Sequence, residues 1–362
     1  MVEKNKTVLF VSQSLFGGGA ERAATYFCSL LAEGDWDVHL LILQNQQKEY
    51  DLPKSVTLHR PGASIKGKVD KICYIRRVVK EVLPVRVVAF LYEPMICSFF
   101  ATRGLPCEFW TAVRNNPNCY PNCQVRRAIS KHLFRVSDLC LLQTKGQAPL
   151  IGFRKKSEYA IIPNVVGARF LEIEHRYSDT PKRFIAVGRL EDQKNYLFLL
   201  ESFALAMDAD PNCSLEIYGR GSLKPSLQSW IDVHRMGDRV TLREPVQNIE
   251  RVLSDSDIYV LTSRYEGMPN SLMEAMAVGL PCISVDCKTG PSDLILDGIN
   301  GYLVPEDAEP DRMASCMLKC MQDPQRTRLM GERARQTIKN AYSEMVVRGR
   351  IFNVFEKKGG EW

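Results

Sequence analysis

The sequence predicts an α/β protein of two parallel-sheet domains, and three observations predict it. Short apolar runs rich in β-branched residues alternate with helical patterns, which implies parallel strands joined by crossover helices and covered on both faces. The alternation breaks near Ile162-Pro163-Asn164 and begins again at Phe184. The chain has 362 residues, enough for two domains with separate cores. Ordinary aromatic, Gly and Pro contents argue for a globular protein over a disordered one.

Thr7 to Ser12 (TVLFVS) reads as a buried strand, and Gly17, Gly18 and Gly19 lead into a helix beginning near Ala20. Three glycines allow a tight turn and close approach of backbone to a ligand. GGGAER lacks the G-x-G-x-x-G spacing of a dinucleotide site. The strand Val38 to Leu43 also ends in Gln44-Asn45, with no acidic residue for an adenosine ribose. Next come a strand at Val85 to Leu91, a helix from Pro94, a strand at Phe109 to Arg114, a helix from Gln124 to Arg135 and a strand at Leu139 to Thr144.

Two helical stretches of this half are basic. Lys66, Lys68, Lys71, Arg76, Arg77 and Lys80 line one, opposite Val69, Ile72, Ile75, Val79 and Val82. Arg126, Arg127, Lys131 and Arg135 line the other, opposite Val125, Ile129 and Leu133. Either is a solvated face or a surface for an acidic partner. Up to Val165 there are 23 Lys+Arg against 13 Asp+Glu, a net of +10, and the remainder carries 25 against 29, a net of −4. Basicity therefore belongs to the first half, which suits an anionic membrane surface or a lipid-linked phosphate, with nucleic acid ranked last. Arg114 and Asn115, in Arg114-Asn115-Asn116-Pro117, follow a strand and should point into a cleft. Cys119 and Cys123 are too few and too isolated for a metal site.

Residues 167–181 are polar and short of strand or helix signals, so they read as a linker. Beyond it the strands are Phe184 to Val187, Ser214 to Gly219, Val240 to Leu242, Asp257 to Thr262, Pro281 to Val285 and Tyr302 to Val304, with helices from Asn195 and Leu223. Asp311 to Lys357 is helical, with breaks at Asp323-Pro324 and 341–343. Arg189 and Lys194 follow the first of these strands, where a guanidinium and an ammonium reaching one crevice would neutralise a diphosphate. Tyr218-Gly219-Arg220-Gly221 forms a further glycine turn. Asp255-Ser256-Asp257 has the form of a metal-binding D-x-D, but it directly precedes a buried strand and is expected to end a helix and start that strand.

The most informative stretch is Glu266-Gly267-Met268-Pro269-Asn270-Ser271-Leu272, continuing to Glu274 and ended by Gly279. It reads as strand, loop, helix, strand, with Asn270, Ser271 or both as the helix cap. Its loop and first helical turn offer backbone N–H groups and the positive end of a helix dipole, which attract a phosphate. Glu266 and Glu274 flank that cradle, and carboxylates accept hydrogen bonds from sugar hydroxyls. Gly290 to Asp293 adds a second helix start nearby.

Glu266 and Glu274, with seven residues between them in LSDSDIYVLTSRYEGMPNSLMEAMAVGLPCISVD, resemble the paired-glutamate motif of the retaining glycosyltransferases of family 4. GGGAER, VGRLEDQKN and DGINGYLV carry the resemblance across nearly the whole chain. It implies the GT-B fold: two Rossmann-like parallel-sheet domains facing across a cleft, at 1–165 and 166–341, with a C-terminal helix over 342–362 crossing back to the first. It implies transfer of a hexose or N-acetylhexosamine from a nucleoside diphosphate, UDP foremost, to a glycan acceptor linked to polyprenyl pyrophosphate. Under it Glu266, Arg189 and Lys194 are the catalytic set, with Glu266 on the sugar hydroxyls and both cations on the diphosphate. Glu274 meets the ribose, Gly267 to Leu272 and Gly219 line the donor, and Val246 meets the base. Gly17, Gly18 and Gly19 lie beside the phosphates and the acceptor. Arg114 takes a position where many members have a histidine; none of His39, His59, His132, His175 and His234 falls there.

The resemblance further implies no metal, no cofactor beyond the donor, no nucleic-acid partner, and a cytoplasmic protein peripheral to the inner membrane face through its basic first domain. The sequence agrees in having no visible signal core, since Val8 to Val11 is too short, and no apolar run near the roughly 18 residues of a spanning helix. Its twelve cysteines are scattered and read as reduced thiols. Two other readings stay open at this point: a UDP-sugar 2-epimerase on the same fold, and a non-catalytic sugar-binding subunit.

Overall fold

The computed structural model describes residues 6–16, 18–46, 49–153, 155 and 158–357. They fall into two compact units, one within Met1–Asn164 and Val347–Trp362, the other Val165–Val346.

The first unit runs β1 (Thr7–Ser12), α1 (Gly19–Ala32), β2 (Asp37–Ile42), β3 (Val56–His59), α2 (Lys68–Val82), β4 (Arg86–Phe90), α3 (Tyr92–Thr102), β5 (Glu108–Ala112), α4 (Gln124–Val136), β6 (Leu139–Leu142), α5 (Gln147–Ile151) and β7 (Tyr159–Ile161). The strands form one parallel sheet in the order β3-β2-β1-β4-β5-β6-β7, with Phe10 opposite both Leu40 and Val88. Every residue of β1 and β4 is buried, as expected for central strands covered on both faces. The chain steps outward from β1 to β3 and returns at β4, so the order reverses between β1 and β4, and crevices at the strand ends form at such a reversal.

Helices close both faces of this sheet. The last helix of the chain contributes Phe355, 1% exposed, whose ring lies 5.1 Å from Trp110 and 6.1 Å from Phe10 between centroids. Arg86 anchors the same helix end: its guanidinium donates to the Phe355 and Lys357 carbonyls, pairs with Glu108 at 2.8 Å and stacks on Trp110. The C-terminal segment is thus part of this unit's core.

The basic stripes are thinner than the sequence suggests. On α2, Lys71 is buried and pairs with Glu93 at 2.8 Å, while Arg76 donates to the Ala101 and Arg103 carbonyls. Both cations serve α3, which packs beside α2. Val69 and Val125, expected on the apolar sides, are 71% and 67% exposed because each sits in the first turn of its helix, beyond the edge of the core.

The second unit runs α6 (Ala168–Glu172), β8 (Arg183–Val187), α7 (Tyr196–Ala209), β9 (Ser214–Tyr218), α8 (Lys224–Val233), β10 (Val240–Arg243), α9 (Ile249–Ser254), β11 (Ile258–Leu261), α10 (Asn270–Val278), β12 (Cys282–Asp286), α11 (Pro291–Leu294), β13 (Tyr302–Pro305), α12 (Pro310–Gln322) and α13 (Pro324–Ala341); α14 (Glu344–Glu356) then ends the described helices. Its sheet is parallel, in the order β10-β9-β8-β11-β12-β13, with the reversal between β8 and β11. Two parallel Rossmann-like sheets in one chain is the GT-B arrangement of elements.

Residues 167–181 are not a loose linker. They include α6, whose Phe170 is fully buried against α10, and the following segment is pinned to the same face. Tyr177 donates its hydroxyl to the Gly279 carbonyl at 3.0 Å, and Arg335 donates to the Ile173 carbonyl at 2.8 Å. Phe170, with Leu171 and Ile173 packed beside it, and a few polar anchors dock a stretch too short to show periodicity. Among the described residues, no helix is long and apolar enough to cross a membrane.

Candidate active site

In the second unit the loops leaving β8 and β11 meet at the sheet reversal. The β8 loop carries Gly188 and Arg189, then a tight turn at Asp192–Lys194. The β11 loop runs from Thr262 to Glu266 and on to α10. Lys194 Nζ lies 2.7 Å from Glu266 Oε1, with side chains only 13% and 9% exposed. Their backbones are laced as well: Thr262 donates its hydroxyl to the Lys194 carbonyl at 2.9 Å, the Arg264 N–H donates to the Gln193 carbonyl at 2.8 Å, and Gln193 Nε2 donates to the Tyr265 carbonyl at 2.8 Å. An ammonium and a carboxylate removed from solvent interact more strongly than at the surface, and each fixes the other's position.

Two glycines make this approach possible. A Cβ on Gly188 would stand 2.9 Å from Lys194 Cε, and one on Gly219 would stand 1.9 Å from the Gly188 carbonyl oxygen. A side chain at Gly219 would push the β8 and β9 loops apart, and one at Gly188 would displace the Lys194 and Tyr196 side chains. Residue type and spacing give no cue to Gly188, although it stands inside VGRLEDQKN.

The cradle after Glu266 is backed by a second loop. Thr289 donates its hydroxyl to the Glu266 carbonyl, and Gly290, at φ +100°, lies so close that a Cβ there would be 2.9 Å from the Gly267 carbonyl oxygen and 2.8 Å from Pro269 Cδ. The cap differs from the expectation. Pro269 occupies the N-cap of α10, Asn270 is already helical, and the Ser271 hydroxyl accepts from the Tyr259 hydroxyl at 2.7 Å instead of turning back on its own helix. Proline suits a helix start because no N–H is needed there. The first-turn N–H groups of Ser271 and Leu272 precede any helical acceptor, so they remain oriented as an anion cradle. Met268 and Leu272, 5% exposed and fully buried, form its apolar floor, and Glu274 is 9% exposed one turn in.

Arg189 is exposed, and its guanidinium donates to the neutral Gln193 side-chain oxygen at 3.2 Å. Val246, 44% exposed, lies on the loop between β10 and α9. Arg189, Lys194, Gly219, Val246, Glu266 to Leu272 and Glu274 thus all sit on loops at the carboxyl ends of β8, β9, β10 and β11 or open α10. Such an arrangement can hold a diphosphate between cations and amide dipoles while two carboxylates take up sugar hydroxyls. Asp257 is structural: its carboxylate accepts from the Lys182 and Arg183 N–H groups and pairs with the Arg183 guanidinium at 2.8 Å, fixing the start of β11 against β8.

In the first unit Gly18 is the N-cap of α1, Gly19 opens the helix, and Gly17 lies outside the described residues. Arg114 follows β5, but its guanidinium turns inward over the Phe27 and Phe90 rings, at 5.2 and 5.1 Å, instead of standing free at the strand end. Flat aromatic faces hold a planar cation well. Its Nη1 donates to Asn164 Oδ1 at 3.4 Å, while Nε and Nη2 find no partner among the described residues. Burial lowers its pKa to about 9, so it stays charged at neutral pH. Asn115 caps the next turn, accepting from the Asn116 N–H at 2.8 Å, and its carbonyl accepts from Gln147. Glu21, in the first turn of α1, is 9% exposed, and burial raises its pKa. Its place in GGGAER is the only signal for it in the sequence.

A family model described as glycosyl transferases group 1 matches residues 170–342. The amylovoran biosynthesis glycosyltransferase AmsD of Erwinia amylovora is 26% identical over 313 residues, covering 83% of this chain and 85% of AmsD. The uncharacterized glycosyltransferase MJ1059 of Methanocaldococcus jannaschii is 33% identical over 209 residues, and the match covers 53% of this chain and only 52% of that protein. Among solved structures, Anabaena HepE in complex with UDP and glucose superposes with a TM-score of 0.82 at 15% identity, covering 97% of this chain and 99% of HepE, a likeness of fold. The stretch matched by that model, 170–342, holds the Lys194–Glu266 pair and the α10 cradle, and both parallel sheets have the GT-B arrangement.

Proposed function

We propose that the protein is a retaining glycosyltransferase that moves a hexose or N-acetylhexosamine from a nucleoside diphosphate sugar, UDP-linked foremost, to a glycan acceptor carried on polyprenyl pyrophosphate. The observation that carries this reading is the buried Lys194–Glu266 pair beside the opening turn of α10, with Arg189 on the same loop as Lys194. Glu266 holds sugar hydroxyls, Glu274 the ribose, and Arg189, Lys194 and the α10 N–H groups the diphosphate. Charge builds on that diphosphate as the glycosidic bond breaks, so groups held ready for it lower the barrier. The acceptor attacks from the face the phosphate leaves, and the departing phosphate takes its proton, which preserves the anomeric configuration. Because these cations supply the positive charge, transfer is expected to persist in EDTA.

Exposed Lys66, Lys68, Lys80, Arg126 and Arg135, beside exposed Val69 and Val125, support adsorption of the first unit to an anionic membrane carrying the acceptor. The test is a panel of UDP- and GDP-sugars scored first by thermal shift and then by product analysis with polyprenyl-pyrophosphate-linked acceptors. A rise in melting temperature confined to UDP-sugars, followed by acceptor-dependent release of UDP and an α-linked product, is expected. Stabilisation by no nucleotide sugar, or consumption of donor to a free 2-epimer without acceptor, would overturn it.

A further inference from the structure

The second unit contains a cavity of about 390 Å³ at the carboxyl ends of β11, β12 and β13. Asn195, the residue after Lys194, lines it, and Glu266, Glu274 and Arg189 are not among its lining residues. Its size is at the small end of the roughly 300–1,000 Å³ of small-molecule sites. Phe198, Val285 and Ala308 give it an apolar wall, and Glu201, Glu306 and Asp307 face it with carboxylates. Arg264, the single lining cation among the described residues, already lies 3.7 Å from the Asp192 carboxylate, so the lining is net acidic.

From this lining we infer that the cavity is a second saccharide site, taking one uncharged sugar unit. An apolar wall suits the C–H face of a pyranose, the carboxylates suit its hydroxyls, and the acidic balance repels phosphorylated or uronic sugars. The walls are the same segments that set the candidate active site: Thr262 holds the Lys194 carbonyl, and Arg264 holds that of Gln193. An occupant therefore stiffens the loops carrying Lys194 and Glu266. This consequence for transfer rests on the proposed function; the binding itself does not.

Saturation-transfer NMR on the full chain, saturated with UDP, tests it with methyl glucoside, methyl galactoside and N-acetylglucosamine as probes and glucuronate as the acidic control. Signal from at least one neutral probe with UDP present, and none from glucuronate, is expected. Ala308→Phe, which fills the cavity, and Glu201→Gln should each cut that signal at least fivefold while UDP affinity by calorimetry stays within twofold. Absence of signal from all neutral probes, its loss on adding UDP, or an undiminished signal in both variants would overturn the site. Failure of the donor reading would instead appear as no UDP binding by the unmutated protein, with the sugar signal unaffected.

Discussion

Lys194→Met strands Glu266, a residue 7% exposed, without the ammonium that now lies 2.7 Å from its carboxylate. Removing one member of a buried pair costs about 3–5 kcal/mol, because the remaining charge is left uncompensated. The lower end applies here, since the Thr289 and Gln193 hydrogen bonds still hold the loop backbone. For a unit the size of Val165–Val346, about 3 kcal/mol corresponds to a fall in melting temperature of roughly 6–12 °C. Adding Glu266→Gln to the same chain removes the stranded charge and should recover most of that loss. It should not recover transfer, because the diphosphate still lacks its ammonium and the sugar its carboxylate. Circular-dichroism melts of both singles and the double, paired with UDP release in the presence of acceptor, separate the two effects. A Lys194→Met variant within about 1 kcal/mol of the unmutated protein, or a double variant no more stable than Lys194→Met, would refute the reasoning.

Gly219→Ala places a Cβ 1.9 Å from the Gly188 carbonyl oxygen and is expected to lower stability by about 1–3 kcal/mol and weaken UDP binding, whereas Gly237→Ala, with nothing within 4 Å, should be silent in the same urea titration. Phe355→Ala empties a site touching the Phe10 and Trp110 rings; a loss of about 3–5 kcal/mol in the first unit's unfolding, with UDP affinity unchanged, is expected by calorimetry. Burial raises the folded pKa of Glu21, so the folded state holds its proton more tightly than the unfolded chain and stability falls as pH rises from the ordinary carboxylate range through that raised value. Glu21→Gln should therefore melt higher than the unmutated protein at pH 7, with the difference vanishing near pH 4; a constant difference across that range would contradict the assignment.

The central strands were legible because runs such as TVLFVS are apolar on both faces and stop at Gly, Asn or Ser. Short β3 and β7 were not: Val56–His59 and Tyr159–Ile161 are half-buried edge pieces with too few apolar residues to stand out, and only pairing to β2 and β6 defines them. Helix α6 was hidden because it is only five residues long, with Phe170 alone fully buried and Leu171 packed beside it. At the candidate site, residue types and spacing brought out Arg189, Lys194, Glu266 and Glu274. The closeness of Gly219 to Gly188 could not be read, because it depends on β8 and β9 lying side by side. Nor could the inward turn of Arg114, which depends on Phe27 and Phe90 arriving from other elements. Charge counting likewise overstated α2, where Lys71 and Arg76 are spent on α3.

Arg189 offers the most direct trial, because its side chain is exposed and bonded to the neutral Gln193 side chain, so Arg189→Ala should leave the fold alone. Titration calorimetry with UDP and with uridine, on this variant and the unmutated protein, isolates the diphosphate. Losing a charge-assisted contact worth about 1.5–3 kcal/mol should weaken UDP roughly 10- to 150-fold and leave uridine unchanged. Equal UDP affinity in the two proteins, or an equal loss for uridine, would contradict a diphosphate held at the end of β8.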